Sequence, residues 1–167
     1  ITDTSVAAAA LNTLDGKTSV AINASNITTL TGAAADLNTA YTANGNGSIT
    51  GLGNEAATLS DSSLAVSVLN DLNSNTSGTI NAGSINSLSG SAADLISAYT
   101  ANGSGITGLG DEAVTVDSGT ATTDQANSLS GATDGVVTAT IEETNLDVLS
   151  GLSETDTPNA YSITVTD

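Results

Sequence analysis

The sequence predicts an α/β fold, a right-handed α/β solenoid of strand–helix repeats about 29 residues long with one parallel sheet. Three observations predict it. A long segment recurs within the chain, each long segment divides again, and β-like and helix-like stretches alternate throughout. An all-β solenoid, with the Ala/Leu stretches as coils, is the alternative reading.

The long repeat is the strongest signal. Asp3 recurs as Asp61, Leu11 as Leu69, Leu14 as Leu72 and Thr18 as Thr76, an offset of 58 residues. The same offset carries Ile22 to Ile80, Leu30 to Leu88, Leu37 to Leu95 and Tyr41 to Tyr99. After a one-residue deletion, Ile49-Thr50-Gly51-Leu52-Gly53 returns as Ile106-Thr107-Gly108-Leu109-Gly110, offset by 57. Residues 1–57 and 58–114 are thus long repeats, followed by divergent repeats over 115–167. The whole of 1–167 reads as a single repeat module, cut from or stacking into a longer array.

Helix-like Ala/Leu stretches recur near residues 5, 33, 62, 91 and 121, with a last short helix expected near 142–150. Asp3 and Asp61 are expected N-caps, Ser91 with Asp94 a variant capping box, and Thr140 with Glu143 another. Gly16, Gly131 and Gly151 stand where a left-handed C-cap is wanted. Between the helices lie β-like runs at 20–24, 57–60, 79–82, 113–116 and 136–141, with a final strand at 161–166. Strands joined by helical crossovers run parallel, and such crossovers are right-handed. The apolar positions of this pattern give the expected core: Leu11, Leu14, Ile22, Leu30, Leu37, Leu69, Leu72, Ile80, Leu88 and Leu95.

Composition narrows function. Eighteen acidic residues face one basic residue, Lys17, for a net charge of −17, and there is no His and no Cys. Without His or Cys the usual zinc, haem and iron–sulfur ligand sets and the Ser-His-Asp and Cys-His nucleophiles are missing. A lone cation cannot neutralise a phosphate backbone, so no nucleic-acid partner is expected. No apolar run reaches the roughly 18 residues of a membrane span, so no membrane insertion is expected. Paired carboxylates suggest glycosidase chemistry only faintly, because Glu55 and Glu112 are repeat equivalents and duplicated positions serve structure. Tyr41 and Tyr99 end equivalent helices and read as repeat-core or rim residues. The remaining ligand to weigh is Ca2+, for which Asp15, Asn54, Glu55, Asp111 and Glu112 are the candidate oxygen donors, although neither the EF-hand loop nor the Gly-rich nonapeptide is present.

Longer phrases carry a resemblance. Asp3-Thr4-Ser5-Val6-Ala7-Ala8-Ala9-Ala10-Leu11-Asn12-Thr13-Leu14-Asp15-Gly16-Lys17-Thr18-Ser19, Ile27-Thr28-Thr29-Leu30-Thr31-Gly32, Ile49-Thr50-Gly51-Leu52-Gly53-Asn54-Glu55-Ala56 and Tyr161-Ser162-Ile163-Thr164-Val165-Thr166-Asp167 resemble the repeats of very large secreted or surface proteins of marine cyanobacteria and related bacteria. The resemblance covers essentially the whole chain and is one of repeat style. It implies export to the cell surface or beyond, a structural or adhesive role and no catalytic residues. The expected function is therefore a non-enzymatic structural module of an extracellular fibre, surface layer or giant adhesin. Its expected partners are copies of itself or adjacent repeats, joined head to tail by strand stacking. The alternative is a calcium- or glycan-binding adhesin segment.

Overall fold

The computed structural model describes residues 1–153 and 158–163. In chain order the first elements are β1 (Ser5–Ala7), α1 (Ala8–Asp15), β2 (Ile22–Asn23), β3 (Thr29–Gly32), α2 (Ala34–Asn46), β4 (Ile49–Thr50) and β5 (Ala56–Leu59). The second long repeat gives β6 (Ser63–Ala65), α3 (Val66–Asn75), β7 (Ile80–Asn81), β8 (Ser87–Gly90), α4 (Ala92–Ala101), β9 (Ile106–Thr107) and β10 (Ala113–Val116). The divergent part holds α5 (Thr123–Ser130), β11 (Val137–Ile141), α6 (Leu146–Leu149) and β12 (Ala160–Ile163). The fold is α/β with parallel sheets.

The chain forms two compact units. The first comprises Ile1–Asp61, Val68–Ser84 and Asn102–Gly108; the second comprises Ser62–Ser67, Ile85–Ala101 and Leu109–Asp167. The single expected sheet is in fact two five-stranded sheets, one in each unit, and a two-stranded β2–β4 sheet in the first unit. The first unit's sheet runs β1-β3-β5-β7-β9 and the second unit's runs β12-β11-β10-β8-β6. Every pairing is parallel. Each long repeat supplies two kinds of strand, so one repeat feeds more than one ladder.

Register gives the true period. Ser5 faces Thr29, Thr29 faces Ala56, Ala57 faces Ile80 and Ile80 faces Ile106, steps of 24, 27, 23 and 26 residues. In the second unit Ser63 faces Ser87, Ser87 faces Ala113, Val114 faces Val137 and Thr138 faces Ala160, steps of 24, 26, 23 and 22. These steps are shorter than the expected 29 because successive rungs are not repeat equivalents: β7 corresponds to β2 of the first long repeat, yet it pairs with β5 and continues the β1-β3-β5 ladder. Ser5-Val6-Ala7 and Ser63-Leu64-Ala65 alternate small and apolar residues, and parallel pairing with β3 and β8 holds them extended ahead of the helical stretches that follow.

Alternation puts one row of each sheet inside. Leu30, Ala57, Ile80 and Ile106 are buried in the first unit; Leu88, Val114 and Val137 are buried in the second. The outward rows are Ala7–Thr31–Thr58–Asn81–Thr107 and Ala65–Ser89–Thr115–Thr138–Ala160. Among the described residues no strand contains a charged residue. In the first unit α1 and α2 pack on each other and on β3; in the second α4 packs on β8 and α5, and α5 on β11. Helix-borne asparagines tie neighbouring steps together. Asn12 Nδ2 donates to the Asp36 carbonyl at 2.9 Å, Asn38 to that of Val68 at 3.0 Å, and Asn127 to that of Gly151 at 2.9 Å.

Of the expected core, Leu11, Ile22, Leu30, Leu37, Leu69, Leu72, Ile80, Leu88 and Leu95 lie buried. Leu14 does not; it is 46 % exposed while its repeat equivalent Leu72 is fully covered. Ala8 and Leu11 are buried on α1, against which α2, β1 and β3 pack, and Leu14 near its end is left without full cover.

Several helix ends differ from the sequence reading. α1 begins at Ala8, behind the uncapped Ala7, so Asp3 is no N-cap. Asp61 caps a different helix: its carboxylate accepts the Ala34 N–H at 2.8 Å, at the start of α2. Ser91 Oγ accepts the Asp94 N–H at 3.1 Å, as the capping-box pattern suggests, but the Asp94 carboxylate accepts from the Ser91 hydroxyl. Thr140 lies within β11, and α6 is capped by Asn145, which accepts the Asp147 N–H. A full capping box forms at Thr122 and Gln125 instead. Gly16 and Gly131 are right-handed and Gly151 has no positive φ, because each of these helices ends in an ordinary turn. The left-handed cap is Gly47, at φ 83°. Of the final strand expected at 161–166, residues 164–166 lie outside the described residues.

Candidate functional site

The polar chemistry concentrates at two buried corners, one in each unit. Glu55 is 1 % exposed and Glu112 is 0 % exposed. A carboxylate taken out of water is costly unless donors replace its hydration. Both glutamates are placed just ahead of a strand, so their side chains turn inward beside the start of β5 and of β10.

In the first corner the Gly53 N–H donates to Glu55 Oε1 at 2.9 Å and lies 3.0 Å from Oε2. The Asn54 N–H reaches Oε1 at 3.3 Å, and the Tyr41 hydroxyl donates to Oε2 at 3.0 Å. The glutamate thus folds back on its own loop and is closed off by the tyrosine of α2. In the second corner the Gly110 N–H donates to Glu112 Oε2 at 2.9 Å, and the Asp111 N–H to the same oxygen at 3.3 Å. There the Tyr99 hydroxyl, from α4, donates to Glu112 Oε1.

The glutamate backbone is gripped as well. Thr76 Oγ1 donates to the Glu55 carbonyl at 3.3 Å and accepts the Gly78 N–H at 3.0 Å. Thr133 Oγ1 donates to the Glu112 carbonyl at 2.7 Å and accepts the Gly135 N–H at 3.0 Å. A Cβ on Gly78 or Gly135 would overlap the Glu55 or Glu112 carbonyl. Glycine is required there by close approach rather than by backbone angle.

Burial pushes the Tyr41 hydroxyl well above the ordinary phenol range; the Thr76 hydroxyl lowers it somewhat and the Glu55 carboxylate raises it further. Burial does the same to Tyr99, reinforced by its hydrogen bond to Glu112 and by the charge of Asp111. Both tyrosines are held as neutral donors to an anion. With no cation at either corner, backbone N–H groups and a phenol hold the carboxylate in place.

No protein-family model, curated protein or solved structure matches the chain.

The expected calcium donors are spread out. Glu55 and Glu112 are buried and already accept N–H and O–H donors. Asn54 and Asp111 are exposed neighbours that contribute backbone N–H groups to the corners. Asp15 is half-buried elsewhere and accepts the Ser48 hydroxyl at 3.0 Å. Among the described residues no three His, Cys, Asp or Glu side chains come together. Among them, too, no helix is long and apolar enough to cross a membrane.

Sequence reasoning finds both glutamates and both tyrosines but not Thr76, Gly78, Thr133 and Gly135. The signal is present. The 57-residue offset continues beyond residue 113, carrying Thr76 to Thr133 and Gly78 to Gly135.

Proposed function

We propose that the chain is a structural repeat module of an extracellular fibre, surface layer or giant adhesin. Its in-register parallel strands are the rungs of an α/β solenoid, and copies join head to tail. The observation that carries this reading is the regular return of the chain to the same ladder. Each five-stranded sheet gains a parallel strand every 22 to 27 residues, with its inward row apolar and its outward row small and uncharged. Such nearest-neighbour stacking makes length itself the product. The buried corners support the reading, because each uses its polar groups up internally and joins one step to the next. The likeness of the repeats to those of giant secreted proteins supports an extracellular or cell-surface site, and the net charge of −17 favours solubility of such a module.

Electron microscopy of the purified protein tests this. Filaments or end-to-end chains are the expected result; isolated particles at every concentration overturn the reading.

A further inference from the structure

The large exposed apolar side chains among the described residues are confined to the two ends of the repeat series. Leu14 and Val20 sit in and just after α1; Leu146 and Val148 sit on α6, and Ile163 on β12. Leu146 is 69 % exposed and Val20 is 74 % exposed. None lies between residues 21 and 145.

Comparison of repeat copies shows what the first end is built for. Thr18, Thr76 and Thr133 head the same turn, accepting the N–H of Val20, Gly78 and Gly135 at 3.0 Å each. In the second and third copies the hydroxyl donates onward to a glutamate carbonyl. In the first copy it turns back to the Val20 carbonyl at 3.4 Å. Valine also stands where the other copies need glycine to admit that carbonyl. The first turn therefore carries methyl groups where the other two copies have a bare glycine. Leu14 keeps the apolar character of buried Leu72 without its cover. Between them lie Asp15, whose carboxylate accepts the Ser48 hydroxyl at 3.0 Å, and Lys17, the only basic residue of the chain. The far end is its chemical complement, with Asp147 between Leu146 and Val148 on α6 and with Glu142 and Glu143 just ahead of it.

We propose that Leu14, Lys17 and Val20 of one copy receive Leu146, Asp147 and Val148 of a second copy. The contact is heterologous, two different surfaces meeting, so a joined pair still presents one surface of each kind to the next copy. Apolar side chains supply the buried centre, and the lysine facing an acidic helix sets the polarity of the joint. This rests on the structural reading above and names the surfaces that serve it.

Complementation with two surface variants tests it by sedimentation. Leu14→Asp with Val20→Asp blocks one end, and Leu146→Asp with Val148→Asp blocks the other. Wild type is expected to assemble with rising concentration. Each variant alone is expected to sediment as a monomer with unchanged circular dichroism. Their equimolar mixture has one intact end from each partner, so it should form a heterodimer and nothing larger. Lys17→Glu should weaken assembly at least tenfold. If each folded variant still assembles as wild type does, or the mixture stays monomeric, the two surfaces are wrong while the structural reading stands. A wild-type protein that never assembles overturns both.

Discussion

The two corners are the same device built twice, and their differences separate what the device needs from what it tolerates. Both keep a tyrosine on the preceding helix, a glycine two residues before the glutamate, the glutamate itself, and a Thr-x-Gly turn 21 residues further on. The tyrosine-to-glutamate spacing is 14 residues in one and 13 in the other. The loop between them absorbs the deletion, so the corner constrains its end points and not its contour. Neighbours vary more freely: Asn54 and Ser77 in the first corner are Asp111 and Asp134 in the second. The second corner thus carries more negative charge around the same buried anion, and its tyrosine is half-buried where Tyr41 is fully buried.

The largest way to break the comparison is alkali, which strikes both corners at once. Tyr41 and Tyr99 keep their protons in the folded chain at a pH where an unfolded tyrosine, near 10.0, has lost its own. Their contribution to stability is therefore complete below pH about 10 and is lost progressively as pH rises above it. Titration should show tyrosinate absorbance from these residues appearing together with loss of the far-ultraviolet dichroism. Ionisation of both tyrosines with the fold intact would contradict the burial described here.

Next in size are Gly78→Ala and Gly135→Ala. Either places a methyl group against a fixed carbonyl, and overpacking of this kind costs about 3 kcal/mol, a fall in Tm of roughly 10 °C in thermal unfolding. Equal losses would show that both units rely on their corner alike. The smallest effects are expected from Tyr41→Phe and Tyr99→Phe, each of which deprives a buried carboxylate of one donor, at about 1–3 kcal/mol. Tyr41→Phe should cost more in denaturant unfolding, because water reaches the site of Tyr99 more easily. The reverse order would mean that the charge of Asp111 outweighs exposure.

Much of this was legible in the sequence, and the gaps have physical reasons. The repeat offset, the α/β class and the glutamate pair follow from identities such as Leu37 with Leu95 and Glu55 with Glu112. The two ladders do not, because a three-residue strand such as Ser63–Ala65 carries no pattern strong enough to compete with the helix beside it. Asp61 shows a second kind of gap. Read locally it caps its own helix; in space it caps Ala34, 27 residues earlier, and no local rule reaches that far. Leu14 shows a third. Helical spacing says which face is apolar but not whether anything lies against it, and Leu14 and Leu72 occupy the same repeat position with opposite outcomes.

The uncharged strands have a consequence for misfolding. Val137–Ile141 is a five-residue run with four β-favouring residues and no charge, proline or glycine, the composition from which steric zippers assemble. It is harmless while β10 and β12 occupy both its edges. With no acidic residue inside the run, no gatekeeper interrupts this segment once a neighbour peels away. The ladder that gives the protein its regularity is thus its own safeguard against amyloid.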